Sequence, residues 1–459
     1  MRKLFLCQRI FLGDNDSFVD GAVVVKDGKI VEVLKSPAEV EIYKTQNHVA
    51  EEISFGEKIL MPGLIDAHVH INEPGRTDWE GFETATKAAA AGGFTTIVDM
   101  PLNSNPPTTT VDNLNAKVQA AEGKTYVDVV PWGGVLPTNI GHLLGLVDSG
   151  VRGFKCFLCP SGIDEFPYVT KEYVESALEI LENTGCVLAF HAELEPETPP
   201  TVDKSHPEKF QTYLNTRPTS MELDAVSLVT EMALKYKGAR LHIVHLSSAE
   251  AIPLIQECRT NGGNLTFETC HHYLHLNAED VPDYHTEFKC APPVRTKGNQ
   301  TKMWLAVQEG LIDLIASDHS PCVPELKLPG EGEGQGDFLK AWGGISSNQF
   351  GLSLFWTKCQ EYSLGLNDLY RLMCLNPAKH IGVESTKGKI AEGYDADFCI
   401  WDPDEEFIVT PNIIQFKNKI TPYMNTKLRG TVHATYLRGQ EVFSKSSGFK
   451  EQLGKVLLM

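Results

Sequence analysis

The chain has 459 residues, 42% of them hydrophobic and 22% charged, ordinary proportions for a globular protein with ample material for a core. Its formal net charge of −19 excludes the basic surface that non-specific nucleic-acid binding needs, and no apolar run reaches the ~18 residues of a membrane span. Eleven cysteines, scattered from Cys7 to Cys399 without framework spacing, predict a reducing compartment, the cytoplasm, rather than a disulfide scaffold.

The first element is a strand. Met1 to Cys7 begins like a signal peptide, but Gln8 and Arg9 interrupt it before it reaches the length of an apolar core. From Lys3 to about Phe55 short strands alternate, with Val23 to Val25 and Ile30 to Val33 joined across Asp27-Gly28, a strong hairpin turn signal. Strands and helices then alternate. The expected strands are Leu60 to Asp66, Thr95 to Met100, Tyr126 to Pro131, Val151 to Phe157, Val187 to His191, Leu241 to His245, Leu265 to Cys270 and Leu311 to Ser317. Helical stretches such as Glu83 to Ala91 and Glu172 to Leu181 lie between them. Eight strands with crossovers predict an α/β fold of the (β/α)8 TIM-like barrel type over residues 56–386, with its site at the C-terminal ends of the strands. The glycine- and glutamate-rich stretch Pro329 to Asp337 follows the last barrel strand and reads as a mobile lid or as a solvated acidic loop. Strand patterns return at Ala396 to Trp401, and at Ala434 to Leu437, which turns through Arg438-Gly439 into Glu441 to Phe443. Residues 1–55 and 387–459 are therefore expected to build one small β-sandwich domain from both chain ends, the latter segment including a tail.

The strand ends carry the chemistry. In Met61-Pro62-Gly63-Leu64-Ile65-Asp66-Ala67-His68-Val69-His70 a buried strand ends in two imidazoles on one face, because residues i and i+2 of a strand share a face. The fourth strand end supplies Lys155, the fifth His191, the sixth His245 and the eighth Asp318. Four imidazoles and a carboxylate suit Zn2+ or a similar divalent ion, and the set exceeds what one open catalytic zinc needs, which predicts two divalent metal ions. Lys155 lies in the apolar run Gly153-Phe154-Lys155-Cys156-Phe157, where burial lowers the amine's pKa and frees it to form a carbamate with CO2. The carboxylated Lys155 has two anionic oxygens that can bridge two cations. Odd spacing from His245 places His242 on the opposite face of its strand, outside the barrel, and His271, His272 and His319 read as supporting rather than ligating residues. Cys156 and Cys159 have C-x-x-C spacing but no second pair, so a structural role is favoured.

This ligand set and its order resemble the dinuclear metal cyclic amidohydrolases, the family of hydantoinases, dihydropyrimidinases, dihydroorotases and allantoinases. The resemblance implies that His68, His70, carboxylated Lys155, His191, His245 and Asp318 bind two metals, that Lys155 bridges them, and that Asp318 is the general base. Dihydroorotases usually carry Arg where Asn72 stands and Asn where Leu102 stands, the pair that binds a substrate carboxylate; losing them favours a small neutral cyclic amide. Several longer segments resemble the allantoinase branch: His70-Ile71-Asn72-Glu73-Pro74-Gly75-Arg76 with Trp79-Glu80-Gly81, Asp99-Met100-Pro101-Leu102-Asn103, Gly153 to Phe157, Ser317-Asp318-His319-Ser320-Pro321-Cys322, and Lys340-Ala341-Trp342-Gly343-Gly344-Ile345. Hydantoinases commonly place a tyrosine five residues after the bridging lysine, where this chain has Pro160. The expectation is hydrolytic opening of the allantoin ring to allantoate, with substrate contacts from Asn72, Ala291, Ser320 and Gly343, and a homotetrameric assembly as in similar enzymes. The alternatives are a dihydropyrimidinase or hydantoinase acting on another neutral ring, and a non-catalytic scaffold relative.

Overall fold

The computed structural model describes residues 1–13 and 17–459. Five strands open the chain: β1 (Arg2–Phe11), β2 (Phe18–Lys26), β3 (Lys29–Leu34), β4 (Glu51–Ser54) and β5 (Ile59–Pro62). Between β2 and β3, Asp27 and Gly28 both take positive φ, 52° and 81°, as a two-residue turn matched to strand twist requires. A helix that sequence reasoning missed, Pro37–Gln46, lies between β3 and β4; Ser36 caps it by accepting from the Glu39 N–H, and Pro37 opens its first turn.

The barrel strands follow: β6 (Leu64–Val69), β7 (Phe94–Asp99), β8 (Asp128–Pro131), the short β9 (Gly133–Gly134), β10 (Gly153–Phe157), β11 (Val187–His191), β12 (Arg240–Ile243), β13 (Leu265–Cys270) and β14 (Leu314–Ala316). The chain returns to the first sheet with β15 (Phe398–Ile408), β16 (Lys427–Leu437), β17 (Gln440–Ser444) and β18 (Gly448–Phe449). That sheet runs β18-β17-β16-β15-β5-β1-β2-β3, with β4 beside β1, so both chain ends share it. On a flat sheet β1 and β16 would stand about 14 Å apart. The rings of Phe5 and Tyr436 nevertheless lie 5.1 Å apart, so the sheet folds over into the expected sandwich around Phe5, Leu60, Phe398 and Tyr436.

The single strand expected from Leu60 to Asp66 is two strands in different sheets. β5 pairs with β1 and β15, whereas β6 pairs with β7. Gly63 is the crossing point, because a Cβ there would lie 2.2 Å from Thr95 Oγ1.

All barrel pairings are parallel, with β6-β7-β8 forming one arc and β9 to β14 the other. His319, just past β14, bridges to Val69 of β6 and closes one seam. At the other seam β9 pairs with β10, while below it the C-terminal tail lies along β8: Val129 N–H donates to Lys455 O and Leu457 N–H to Val129 O. Met459 N–H donates to Gly150 O, just ahead of β10. Alternation along the strands sends Ile65, Ala67, Val98, Val130, Ala189 and Ala316 into one cluster that also contains Trp132 and Phe157. Their neighbours Ile97, Val129, Phe154, Leu188 and Phe267 join Ala85, Leu114, Leu178, Val229 and Met303 of the helices in a second cluster.

Candidate active site

Each barrel strand that carries a polar terminus delivers it to the same end of the barrel. His68 sits in β6 and His70 just beyond it, Lys155 lies in β10, His191 ends β11, and His245 and Asp318 stand two residues past β12 and β14. All six are buried. Asp318 Oδ1 is 3.3 Å from both His68 Nε2 and His70 Nε2, Lys155 Nζ is 3.5 Å from His68 Nε2, and His191 Nδ1 is 3.0 Å from His245 Nε2. The last turn of backbone differs from ordinary strand geometry: His245 and Asp318 have φ of 42° and 44°, a region that non-glycine residues seldom adopt and that clusters at functional sites.

Two carboxylates fix the imidazoles. Glu268 Oε1 accepts a hydrogen bond from the Nδ1–H of His68 at 2.5 Å, and Glu193 Oε2 accepts one from the Nε2–H of His191 at 2.8 Å. The other ring nitrogens face inward, His68 Nε2 toward Asp318 and Lys155, His191 Nδ1 toward His245. Burial drives the His70 pKa down to about 4 and that of His245 well below its ordinary value, so both rings are neutral. Burial also works to raise Asp318, but His68, His70 and His272 together hold its carboxyl well below the usual range. The Lys155 amine is lowered to about 8 by burial, and it forms no ion pair among the described residues. Inward-facing imidazole nitrogens, an ionised carboxylate and an unpaired buried amine are the donor chemistry of a metal site, and His245 Nδ1 remains a buried atom without a hydrogen-bond partner. His68, His70 and Asp318 offer ligand atoms all within 4.8 Å of one another. The residues present fit divalent metal ions.

The cavity above these groups is lined by Asn103, Ser161, Arg217, Ala291, Ser320 and Gly343 among others. Ala291, Ser320 and Gly343 thus stand where sequence reasoning expects substrate contacts. Asn72 does not line the cavity: it is fully buried, and its amide donates to Pro321 O at 3.1 Å. Asn103 occupies the wall instead, its amide 3.2 Å from His70 Nδ1 and its Oδ1 unpartnered. Arg217 is the cation on the wall, and it is paired with Glu193. Burial would raise the Glu193 carboxyl, yet Arg217 and His191 hold it at about 2. A larger cleft of about 310 Å3 lies elsewhere, lined by Phe350, Phe407, Phe443 and Phe449, with no comparable convergence of ionisable groups.

His242 corrects one expectation. Parallel register places Lys155, Ala189, His242 and Thr266 in one row facing the barrel interior, and His242 Nε2 is 3.2 Å from Glu268 Oε2. Because β12 ends at Ile243, strand alternation does not carry through to His245. Three supporting residues were missed from sequence. Glu268 carries the signal that exposed Lys155, a charge within an apolar strand; Glu193 follows His191 at i+2; Arg217, 24 residues beyond Glu193, gives no local signal. His319 serves structure, with Nε2 3.1 Å from Glu80 and Nδ1 accepting from the Ser347 N–H. His272 approaches Asp318 and Cys270.

A model of the amidohydrolase family matches residues 59–442. An allantoinase of Saccharomyces cerevisiae is 45% identical over 441 residues, covering 94% of this chain and 94% of its own. An allantoinase of Arabidopsis thaliana is 42% identical over 456 residues, covering 96% and 88%. Among solved structures, the L-hydantoinase (dihydropyrimidinase) from Arthrobacter aurescens is similar over 100% of this chain and 99% of its own, with a TM-score of 0.90 and 27% identity.

Proposed function

The chain belongs to the amidohydrolase family, and from that premise we propose that it is an allantoinase, opening the hydantoin ring of allantoin by hydrolysis to give allantoate in purine degradation. The observation that carries the reading is the convergence of His68, His70, Lys155, His191, His245 and Asp318 in a chain 45% identical to an allantoinase over 94% of both lengths.

His68, His70, His191, His245 and Asp318 would hold two divalent ions, Zn2+ by donor type, with Lys155, as its carbamate, supplying the further anionic oxygens the pair needs. When bound, such a pair supplies Lewis-acid polarisation of the scissile carbonyl and activation of water at neutral pH. Glu268 and Glu193 keep His68 and His191 in the required tautomers. Asp318 accepts the proton of the attacking water on its carboxylate and returns it to the leaving ring nitrogen. Ala291, Ser320 and Gly343 contact the ring, and Asn103 takes the wall position expected of Asn72, which fixes the Pro321 carbonyl beside Ser320. With Arg217 neutralised by Glu193 and Lys155 committed to its carbamate, no described residue on the wall is left as a spare cation for a substrate carboxylate, which supports a neutral ring.

Comparing kcat/KM for allantoin, dihydrouracil, hydantoin and dihydroorotate on the metal-loaded protein tests the reading; allantoin is expected to lead, and no turnover of it would reject the assignment. Preference for dihydrouracil or hydantoin would install the dihydropyrimidinase reading, against which Pro160 stands. A homotetramer rests on the family resemblance, and light scattering against the 50.7 kDa chain mass tests it. The cytoplasmic assignment is supported by eleven free, buried cysteines, and fractionation tests it. Among the described residues no helix is long and apolar enough to cross a membrane.

A further inference from the structure

Ala291 and Gly343 sit side by side on the cavity wall, a Cβ built on Gly343 lying 3.9 Å from the Ala291 nitrogen. Neither backbone N–H has an acceptor among the described residues. The carbonyl of the same peptide group is in each case held from the other side: Tyr213 donates its hydroxyl to Cys290 O at 2.7 Å, and Lys327 donates from Nζ to Trp342 O at 3.0 Å. Both peptides are trans, the cis bonds being Glu73-Pro74, Asn105-Pro106 and Ala291-Pro292. In a trans peptide C=O and N–H point in opposite directions. Fixing these two carbonyls behind the wall therefore turns the Ala291 and Gly343 N–H groups forward, into the cavity.

The donors of Lys327 all go to backbone carbonyls of this wall. Lys327 is 3% exposed, has no carboxylate partner among the described residues, and donates also to Lys289 O and Gly344 O. Lys289, equally without a carboxylate, donates to Ala341 O and stands 4.8 Å above the Tyr213 ring. Burying two ammonium groups without counter-ions is unfavourable, and burial pushes Lys289 down to about 7 and Lys327 to about 8. A methionine would fill the same space without that penalty; only the lysine supplies directed donors. An ammonium on the carbonyl also polarises the peptide, strengthening the N–H on its far side as a donor.

We propose that Lys327 and Tyr213 are positioning residues for the hydrolysis: they aim the Gly343 and Ala291 N–H groups as paired donors to a carbonyl oxygen of the cyclic amide, with Lys289 locking the tyrosine and the loop. This rests on the amide-hydrolase reading of the site. The test is steady-state kinetics of metal-loaded Tyr213→Phe and Lys327→Met, on whichever neutral cyclic amide the wild type turns over fastest, with metal content measured in each. Loss of alignment of one neutral hydrogen bond is expected to raise KM about 3- to 10-fold, with kcat and metal content near wild type. A lowered kcat at unchanged KM, the pattern of a smaller active fraction, would overturn the proposal, as would KM within about twofold of wild type in Tyr213→Phe. Should Lys327→Met fail to fold, Tyr213→Phe, which removes one oxygen, decides alone. A wild type that hydrolyses no cyclic amide would bring down the hydrolase reading, and this proposal with it.

Discussion

At the scale of single residues, Lys155 and Glu193 do different work on one site. Lys155→Ala is expected to abolish most activity and to leave less than the wild-type metal content by elemental analysis; full metal content in that variant would refute a bridging role. Glu193→Gln removes the acceptor charge that fixes His191 Nε2–H and the partner of Arg217. It should lower kcat/KM or metal affinity by about 10- to 100-fold, read by metal titration alongside kinetics. The six inward residues were legible because each belongs to a residue type that is unusual at a buried strand end. Glu268 carried the same signal, a charge in an apolar strand. Lys289 and Lys327 were not legible, because their partners are backbone carbonyls, which leave no mark in residue type.

Secondary structure shows the same division between pattern and tertiary context. Strand periodicity placed the barrel strands, and the Asp27-Gly28 turn behaves as its residues require. The change of sheet at Gly63 was hidden, since β5 and β6 are both apolar and only their partners differ. Gly63→Ala would push a methyl into Thr95, and a destabilisation of about 1–3 kcal/mol is expected from overpacking, measurable as a lower midpoint in denaturant. The glycine-rich loop after Leu328 is pinned at its neck, Gly330 N–H to Tyr284 O at 3.1 Å and Gly336 N–H to Leu328 O at 2.7 Å. A loop closed at its base resembles a solvated excursion more than a hinge. Deleting residues 331–335 and rejoining the neck should leave kcat and KM within about twofold; a larger change in either would make it the lid.

Across the whole molecule, one buried charge cluster ties the barrel to the terminal sheet. Lys387 Nζ lies 2.8 Å from Asp128 and 2.6 Å from Asp397, while Arg438 Nη1 is 2.7 Å from Asp128. Burial opposes the Lys387 charge, but Asp397 and Asp128 win and hold its pKa above the ordinary value. Asp128→Ala strips β8 of the acid that answers two cations, and a loss of about 3–5 kcal/mol is expected, read by chemical denaturation with Asp128→Asn as the milder comparison. The tail contributes separately: Leu457 and Met459 pack on the barrel interior cluster. Removing residues 452–459 should cost about 2–4 kcal/mol of stability from apolar burial alone, visible as a lower thermal midpoint.

That tail also orders events in time. Lys455 and Asp128 are 327 positions apart, and residues 455–457 are synthesised after every strand from β6 to β14, whose seam they complete. A barrel emerging from the ribosome therefore has β8 open on one side, with free backbone donors and acceptors beside an apolar interior, until the tail arrives. A chain lacking residues 455–457 would leave that edge of β8 unpaired, and its expected fate is aggregation or proteolysis rather than weakened catalysis.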